Sequence, residues 1–260
     1  MAALKEKSAV LAQFGKDQRV LVCSGGRYES QANAQIRESI MDGWAECFGE
    51  ENVTAVHISG AAASVARLKP TIGSYLPEST YFGEVCREAK KIGAVTVFWA
   101  TEDPYEQDAN YRVADDFDVV FSCDRWGHNF YQRDRVFHLP LAASPKLHYA
   151  PIADNEEKTI DVLFCGVAFT NRKDIVRNLL PVLQDLNIKI IGPGRGELGI
   201  GFSDARIEKS QLVELYPRSR LVLILGRSLH FENKRFIIAP STPGPRLFQA
   251  ALAGAFPVFH

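Results

Sequence analysis

Short apolar runs alternate with helix-like stretches along most of the chain, and this rhythm restricts the folds open to it. Most runs are four to seven residues long and rich in Val, Ile, Leu and Phe. Strands of this kind are buried on both faces, as in parallel sheets. The runs are 19–24, 53–58, 94–100, 118–122, 136–139, 160–165, 188–191, 221–225 and 255–259. The alternation predicts an α/β protein whose parallel sheets are built from right-handed βαβ units.

The stretches between the runs have helical periodicity. Residues 31–48 carry an apolar residue at every fourth position from Ile36 to Phe48, which makes one apolar stripe. Further helices are predicted over 80–91, 172–186, 210–218 and 245–253. Gly93 and Gly254 follow two of these stretches, where a glycine commonly ends a helix.

One segment interrupts the rhythm and suggests two domains. Residues 142–158 are polar, contain Pro145 and Pro151 and lack periodicity, as an interdomain linker does. The sequence therefore predicts an N-terminal domain of residues 1–141 and a C-terminal domain of residues 159–260. Because the second domain has four runs and its last run reaches the end of the sequence, we expect this domain to be incomplete.

Composition excludes several classes of protein. Of the 260 residues 46% are hydrophobic, which is enough for real cores and argues against a disordered chain. Lys and Arg number 30 against 31 Asp and Glu, so a general electrostatic attraction to nucleic acid is not expected. No apolar run approaches the ~18 residues that a transmembrane segment needs. Five cysteines without a CxxC pair or a secretion signal favour a cytoplasmic location.

A formal G-x-G-x-x-G motif lies at Gly194, Gly196 and Gly199, after a predicted strand. A dinucleotide fingerprint opens a helix at its third glycine, whereas here the sequence continues as a loop. A nicotinamide or flavin site is therefore disfavoured. Residues 192–194 fit another interpretation better, because open α/β sheets bind ligands at the carboxyl ends of their strands.

Two candidate loops follow predicted strands of the first domain. Gly25 and Gly26 allow the backbone to approach a phosphate or an acceptor closely, or they serve a tight turn. Glu102 and Asp103 follow the third run, where a carboxylate in a cleft is a candidate general base. Asp103 before Pro104 is also typical of a solvated turn. The spacing of the histidines supports no metal site, and we expect none.

The most specific stretch is 241–254, STPGPRLFQAALAG. Ser241 or Thr242 is expected to cap a helix that has proline in its first turn. Arg246 then lies near the positive helix end, where free N–H groups and a guanidinium suit a diphosphate. Gln249, three residues later, falls on about the same face and can hydrogen-bond to hydroxyl groups.

Several of these stretches together resemble the CgeB-like spore maturation glycosyltransferases. They are 98–104, 120–124, 138–143, 161–166, 171–172, 189–194 and 245–254. Their order and spacing agree over roughly residues 95–260. The resemblance implies a GT-B fold, in which two Rossmann-like domains with parallel sheets face a cleft. It also implies that a sugar moves from a nucleotide-diphosphate sugar to an acceptor without a bound metal.

The resemblance also implies roles for single residues. The N-terminal domain holds the acceptor, with Asp103 as the candidate base, and the C-terminal domain holds the donor. The donor-side residues are Gly166, Asn171, Arg172, Gly192, Pro193, Arg246 and Gln249. Gln249 stands where the family usually has a glutamate that binds ribose hydroxyls, and glutamine keeps the hydrogen bonding without the charge. Because no metal neutralises the leaving diphosphate, Arg227 is expected to join Arg172 and Arg246 in stabilising it.

Two other functions stay open at the level of the sequence. A catalytically inactive binding protein with the same fold is the first, and Gln249 favours it slightly. A Rossmann-fold oxidoreductase that uses NAD(P) at residues 194–199 is the less favoured second. The leading hypothesis needs no cofactor. Its partners are a nucleotide sugar and an unidentified acceptor, which is a protein, a polysaccharide or a small molecule.

Overall fold

The computed structural model describes residues 17–24, 31–75, 82–152, 154, 157–194, 202–203, 206–228 and 232–260. The chain forms two compact units. The first contains Met1–Leu139 and Phe231–Ala239, and the second contains Pro140–His230 and Pro240–His260. This division differs from the predicted one in two ways. Residues 142–158 belong to the second unit instead of forming a separate linker, and a short later segment returns to the first unit.

The first unit contains a six-stranded sheet in which every pair of neighbours is parallel. Its strands are β1 (Val20–Ser24), β2 (Val53–His57), β3 (Ile72–Tyr75), β4 (Val95–Ala100), β5 (Val119–Ser122) and β6 (Val136–His138). Their order across the sheet is β2-β1-β3-β4-β5-β6. The five predicted runs are all strands, whereas β3 was missed because its sequence, Ile-Gly-Ser-Tyr, has no continuous apolar run.

Helices cover this sheet and bury both faces of its central strands, whereas the residues of the edge strand β2 are half-buried or exposed. The helices are α1 (Gln31–Phe48), α2 (Ala61–Leu68), α3 (Phe82–Lys91) and α4 (Gln107–Val113). Side chains alternate along a strand, so the residues of β1 point to opposite faces. Val20 and Val22 pack with the apolar stripe of α1, and Leu21 joins a second core around Phe98 and Phe117.

The second unit contains a five-stranded parallel sheet. Its strands are β7 (Ile160–Cys165), β8 (Ile188–Ile191), β9 (Phe202–Ser203), β10 (Ser219–Ile224) and β11 (Phe256–Phe259), in the order β11-β10-β7-β8-β9. Its helices are α5 (Pro145–His148), α6 (Thr170–Leu183), α7 (Lys209–Leu215) and α8 (Pro245–Leu252). The four predicted runs are strands, and β9 was missed because it has only two residues.

Lys158 shows why the predicted linker is part of the second unit. Its Nζ donates hydrogen bonds to the carbonyl oxygens of Pro217, Ser219 and Gly254, at 3.4, 3.2 and 3.2 Å. An ammonium group has three N–H donors, and here each finds a backbone acceptor. The end of the segment is thereby fixed to the loop before β10 and to the end of α8.

Replacing Lys158 with methionine is expected to lower the free energy of unfolding by about 2 kcal/mol, because hydrogen bonds from a charged donor are lost and carbonyl groups are left unsatisfied. Chemical denaturation measures this change. Lys189→Met is the matched control, since Lys189 is exposed on β8, and its effect is expected to stay within about 0.5 kcal/mol. Equal stability of the two variants would show that these hydrogen bonds do not hold the segment.

Candidate functional site

The carboxyl edge of the second sheet gathers most of the predicted donor-side residues. Gly166 follows β7, Gly192 and Pro193 follow β8, and Arg227 lies just beyond β10. Helices α6 and α8 each connect two neighbouring parallel strands, so both begin at this edge, and Arg246 lies in the first turn of α8. Carboxyl edges of this kind are the usual ligand sites of open α/β sheets.

The loops after β7 and β8 meet backbone to backbone. Gly192 has a φ of +140°, and a Cβ atom placed on it would lie 2.1 Å from the carbonyl oxygen of Gly166. The amide of Gly166 donates to the carbonyl of Ile191 at 2.9 Å, and the amide of Ala168 donates to the carbonyl of Pro193 at 3.0 Å. A glycine is therefore required at position 192, and the two loops are fixed to each other.

Asn171 holds the loop after β10 through both ends of its amide. Its Nδ2 donates to the carbonyl of Gly226 at 3.0 Å, and its Oδ1 accepts from the amide of Ser228 at 3.0 Å. Arg227 lies between these two points, and its guanidinium carbon is 5.9 Å from the ring centre of Phe169. Both ends of the Asn171 amide thus contact the backbone, and its contact with a donor stays a prediction.

Arg172 joins two loops at the same edge. Its Nε donates to the carbonyls of Leu225 and Gly226 at 3.0 and 3.2 Å, and its Nη1 donates to the carbonyl of Val167 at 3.1 Å. The guanidinium carbon lies 5.2 Å from the ring centre of Phe169, within cation–π range. These contacts were not predictable, because most of the partners lie more than 50 residues away along the chain.

The N-cap residue of helix α8 has no side chain that could cap it. The prediction that Ser241 or Thr242 caps this helix was wrong, because the N-cap is Gly244 and Pro245 is the first helical residue. Proline suits this position, where its missing N–H costs nothing. Glycine has no side chain with which to satisfy the first N–H groups, so the positive end of the helix is left to other acceptors.

Arg246 carries a buried N–H group that has no acceptor in the part of the chain that the structure describes. Its guanidinium lies close to the Cys165 sulfur and the Tyr216 hydroxyl, both of which raise the pKa of Arg246, and the sequence revealed neither neighbour. Its Nη1 is buried and has no hydrogen-bond partner among the described residues. A guanidinium stays charged in proteins, and a buried cationic donor without an acceptor is costly. An anion at this point would remove that cost. Gln249, one turn later on α8, is half-buried.

Asp103 lies at the carboxyl end of β4, where it was predicted, but it is not in a solvated turn. It is 3% exposed. Its carboxylate accepts hydrogen bonds from Asn110 Nδ2 at 2.8 Å, Ser122 Oγ at 2.6 Å and Tyr131 OH at 2.9 Å. Burial raises the pKa of Asp103 to about 6, although these hydrogen bonds lower it. Such a pKa suits a general base, and the three contacts fix the position of the carboxylate. The neighbouring Glu102 is half-buried.

The raised pKa of Asp103 makes its contribution to stability depend on pH. A carboxyl group whose pKa is higher in the folded state than its unfolded value of about 3.9 stabilises the protein most at low pH. That contribution is lost as the pH rises through about 6. Between pH 7.5 and pH 5 the wild-type protein is therefore expected to gain about 1 kcal/mol of unfolding free energy relative to Asp103→Asn. Urea denaturation at both values measures the difference, and a difference independent of pH would contradict it.

The segment that returns to the first unit is held by α4. The amide of Asp108 donates to the carbonyl of Glu232 at 2.8 Å. The Oδ2 of Asp108 accepts from the amides of Lys234 and Arg235 at 2.7 and 2.9 Å. The Arg235 guanidinium carbon lies 4.7 Å from the ring centre of Tyr111. No local sequence pattern signals this attachment, because it joins residues more than 120 positions apart.

Asp108→Ala is expected to release this segment from α4. Since a carboxylate that accepts two amide hydrogen bonds is removed, the amides of Lys234 and Arg235 should exchange with solvent at least about ten times faster. Hydrogen–deuterium exchange measures this rate. Asp115→Ala is the control, because Asp115 is exposed, and unchanged exchange in both variants would show that Asp108 does not hold the segment.

Some predictions fall on residues that the structure does not describe. Gly25 and Gly26 lie there, as do Gly196 and Gly199, so the interpretations of both glycine loops stay predictions.

Within the described part of the chain, no group of three His, Cys, Asp or Glu side chains is placed to hold a metal ion. None of the helices described there has the length and apolar character to span a membrane. The five cysteines are free.

Comparison with known proteins supports the fold and leaves the family open. No family model matches the chain, and no curated protein matches it significantly in sequence. The resemblance to the CgeB-like family is therefore not confirmed.

Several solved structures are similar. A glycosyltransferase from Rickettsia africae is 8% identical, with a TM-score of 0.55 over 91% of this chain and 86% of that chain. A trehalose-6-phosphate synthase is 11% identical, with a TM-score of 0.54 over 93% of this chain and 84% of that chain. A candidate UDP-N-acetylglucosamine 2-epimerase from Listeria monocytogenes is 10% identical, with a TM-score of 0.52 over 79% and 73%. At these identities the likeness concerns the fold, and the chain has the α/β fold with parallel sheets of GT-B glycosyltransferase structures.

Proposed function

We propose that this protein transfers a sugar from a nucleotide-diphosphate sugar to an acceptor. The observation that carries the proposal is the buried Nη1 of Arg246, which has no partner among the described residues and lies at the carboxyl edge of the second sheet. A diphosphate would supply the acceptor that this donor lacks. Arginine binds phosphate oxygens through paired N–H groups, which makes it well suited to the task.

The chemistry of glycosyl transfer also requires a positively charged group beside the diphosphate. When the bond to the sugar breaks, negative charge develops on the leaving diphosphate and must be stabilised. Arg246 and the uncapped start of α8 provide positive charge at one edge of the sheet. Helix α6 begins at that edge too, after Phe169, whose side chain cannot accept a hydrogen bond. We propose that these groups stabilise the leaving group without a bound metal.

We further propose roles for the other residues. Gly192 and Pro193 lie against the nucleotide, Arg227 supports the diphosphate, and Gln249 binds hydroxyl groups of the ribose. In the first unit Asp103 is the proposed base, and Gly25, Gly26 and Glu102 are proposed for the acceptor side. The CgeB-like family and a cytoplasmic location, which five free cysteines favour, belong to the same proposal.

A panel of nucleoside diphosphates tests the proposal on the full chain. UDP is the natural first probe, because one structurally similar protein, an Escherichia coli structure named for trehalose-6-phosphate, is bound with UDP-2-fluoro glucose. A ligand at 100 times its dissociation constant stabilises the folded protein by about 2.7 kcal/mol, which a thermal-shift assay detects. No response to UDP, GDP, ADP, CDP or dTDP at millimolar concentration would overturn the proposal. Binding without hydrolysis or transfer of the matching nucleotide sugar would instead identify an inactive binding protein.

A further inference from the structure

We infer that Asn171 and Arg172 are positioning residues, which act on the donor only through the loop after β10 that they hold in place. This inference rests on the proposed function, and it changes the role that the resemblance implies for both residues. They would set the geometry of the diphosphate site without contacting the diphosphate.

Both ends of the Asn171 amide, and Nε and Nη1 of Arg172, are engaged with the backbone. Asn171 uses its donor on Gly226 and its acceptor on Ser228. Arg172 directs Nε at two carbonyls of the loop after β10 and Nη1 at the carbonyl of Val167 in the loop after β7. These bonds hold Nε and Nη1 of Arg172 toward the backbone, so the orientation of the guanidinium is set by the two loops.

Together these contacts join three loops into one edge. Strands β7 and β10 are neighbours in the sheet, and Arg172 bridges the loops that follow them. The loop after β8 is joined to the loop after β7 by the close contact between Gly192 and Gly166. A site built on such a fixed edge binds its ligand without first having to order a loop. Because the entropic cost of ordering a loop is absent, the affinity is higher.

The shape of the Arg172 side chain separates this role from direct binding. Lysine keeps the positive charge, but its single ammonium cannot reproduce a planar fork that reaches carbonyls in two loops. The guanidinium also lies near the rings of Phe164 and Phe169, at 5.9 and 5.2 Å from their centres. If Arg172 positions the loop, Arg172→Lys fails as Arg172→Gln does. If Arg172 binds the diphosphate by its charge, lysine retains most of the affinity.

Isothermal titration with UDP, or with whichever diphosphate of the panel binds the wild-type protein most tightly, tests the inference. Arg172→Lys and Arg172→Gln are both expected to weaken binding at least about tenfold, with the salt dependence of the dissociation constant unchanged. Arg177→Gln is the control on the same helix, because Arg177 is exposed and pairs with Asp174. The affinity of this variant for the diphosphate is expected to stay within twofold of the wild-type value. Circular dichroism checks that each variant is folded at the temperature of the titration.

A second variant and a second measurement guard against misfolding. Asn171→Ala removes fewer contacts and is expected to weaken binding about threefold to tenfold. It should also speed hydrogen exchange at the amide of Ser228, which Asn171 engages in the wild-type protein. Wild-type affinity in both the Arg172→Lys and the Asn171→Ala variants would overturn the inference. So would retained affinity in Arg172→Lys alone, because that result assigns Arg172 to direct binding. If the wild-type protein binds no diphosphate, the proposed function fails first and the inference fails with it.

Discussion

Replacing Gly192 with alanine is expected to destabilise the second unit by about 3–5 kcal/mol, enough to leave little folded protein at 37 °C. A Cβ at this position would lie 2.1 Å from the carbonyl oxygen of Gly166, and the φ of +140° is one that residues with side chains rarely adopt. Because the obstacle is backbone and not the end of a flexible side chain, the loops after β7 and β8 must separate to accommodate a methyl group.

Soluble yield and chemical denaturation measure this effect. Gly226→Ala is the matched control at the same edge, because a Cβ there would meet its nearest atom, the carbonyl oxygen of His260, at an ordinary 3.7 Å. Its effect is expected to stay within about 1 kcal/mol. If the two variants are equally stable, the close contact between the two loops does not exist in solution.

Arg246→Gln is expected to weaken nucleoside diphosphate binding at least about a hundredfold while changing the stability of the ligand-free protein by about 1 kcal/mol or less. The favourable interactions with Cys165 and Tyr216 are lost, but so is the buried Nη1 group that has no partner among the described residues. These two changes have opposite effects on the free energy of unfolding of the ligand-free protein. For the complex, in contrast, the loss of the cation removes an interaction with the diphosphate that nothing else replaces.

Arg220→Gln is the control for this prediction. Arg220 lies in the same sheet but near the amino end of β10, where it pairs with Asp161 at 3.2 Å. Its loss is expected to leave affinity within twofold of wild type. Equal effects of the two substitutions would mean that general positive charge, and not the position of Arg246, determines binding. Titration with UDP and with uridine then shows whether the lost affinity belongs to the diphosphate.

The sequence predicted the strands that consist mainly of apolar residues. Val95–Ala100 reads as an apolar run broken only by Thr96, and all of its side chains except Val95 and Trp99 are buried. Ile72–Tyr75 and Phe202–Ser203 carry no such signal, and they are strands only because neighbours supply the pairing. Three helices were missed for a related reason, and the shortest of them, α5, has only four residues and lies inside the predicted linker. The α2 sequence is short and rich in alanine, and α4 buries the polar residues Gln107 and Asn110.

The candidate site was predictable only where local geometry determines the residue. A glycine after a strand and an arginine at the start of a helix can be predicted from the neighbouring residues in the sequence. Gly192 and Arg246 both lie where they were expected. Arg172 and Asp108 bind partners more than 50 residues away along the chain, and Asp103 binds side chains on other elements, so their contacts depend on tertiary packing. The same holds for the return of a late segment to the first unit. No pattern in the sequence encodes such long-range pairing.

A crystal structure of the full chain with the most tightly bound nucleoside diphosphate tests the central claim most directly. The expected result is a diphosphate oxygen about 2.7–2.9 Å from Nη1 of Arg246, the distance of a charge-assisted hydrogen bond. The rest of the nucleotide is expected to follow the carboxyl edge of the second sheet past Gly192. A diphosphate bound away from this edge, or one bound there while Nη1 of Arg246 stays without an acceptor, would contradict the proposed function of the site.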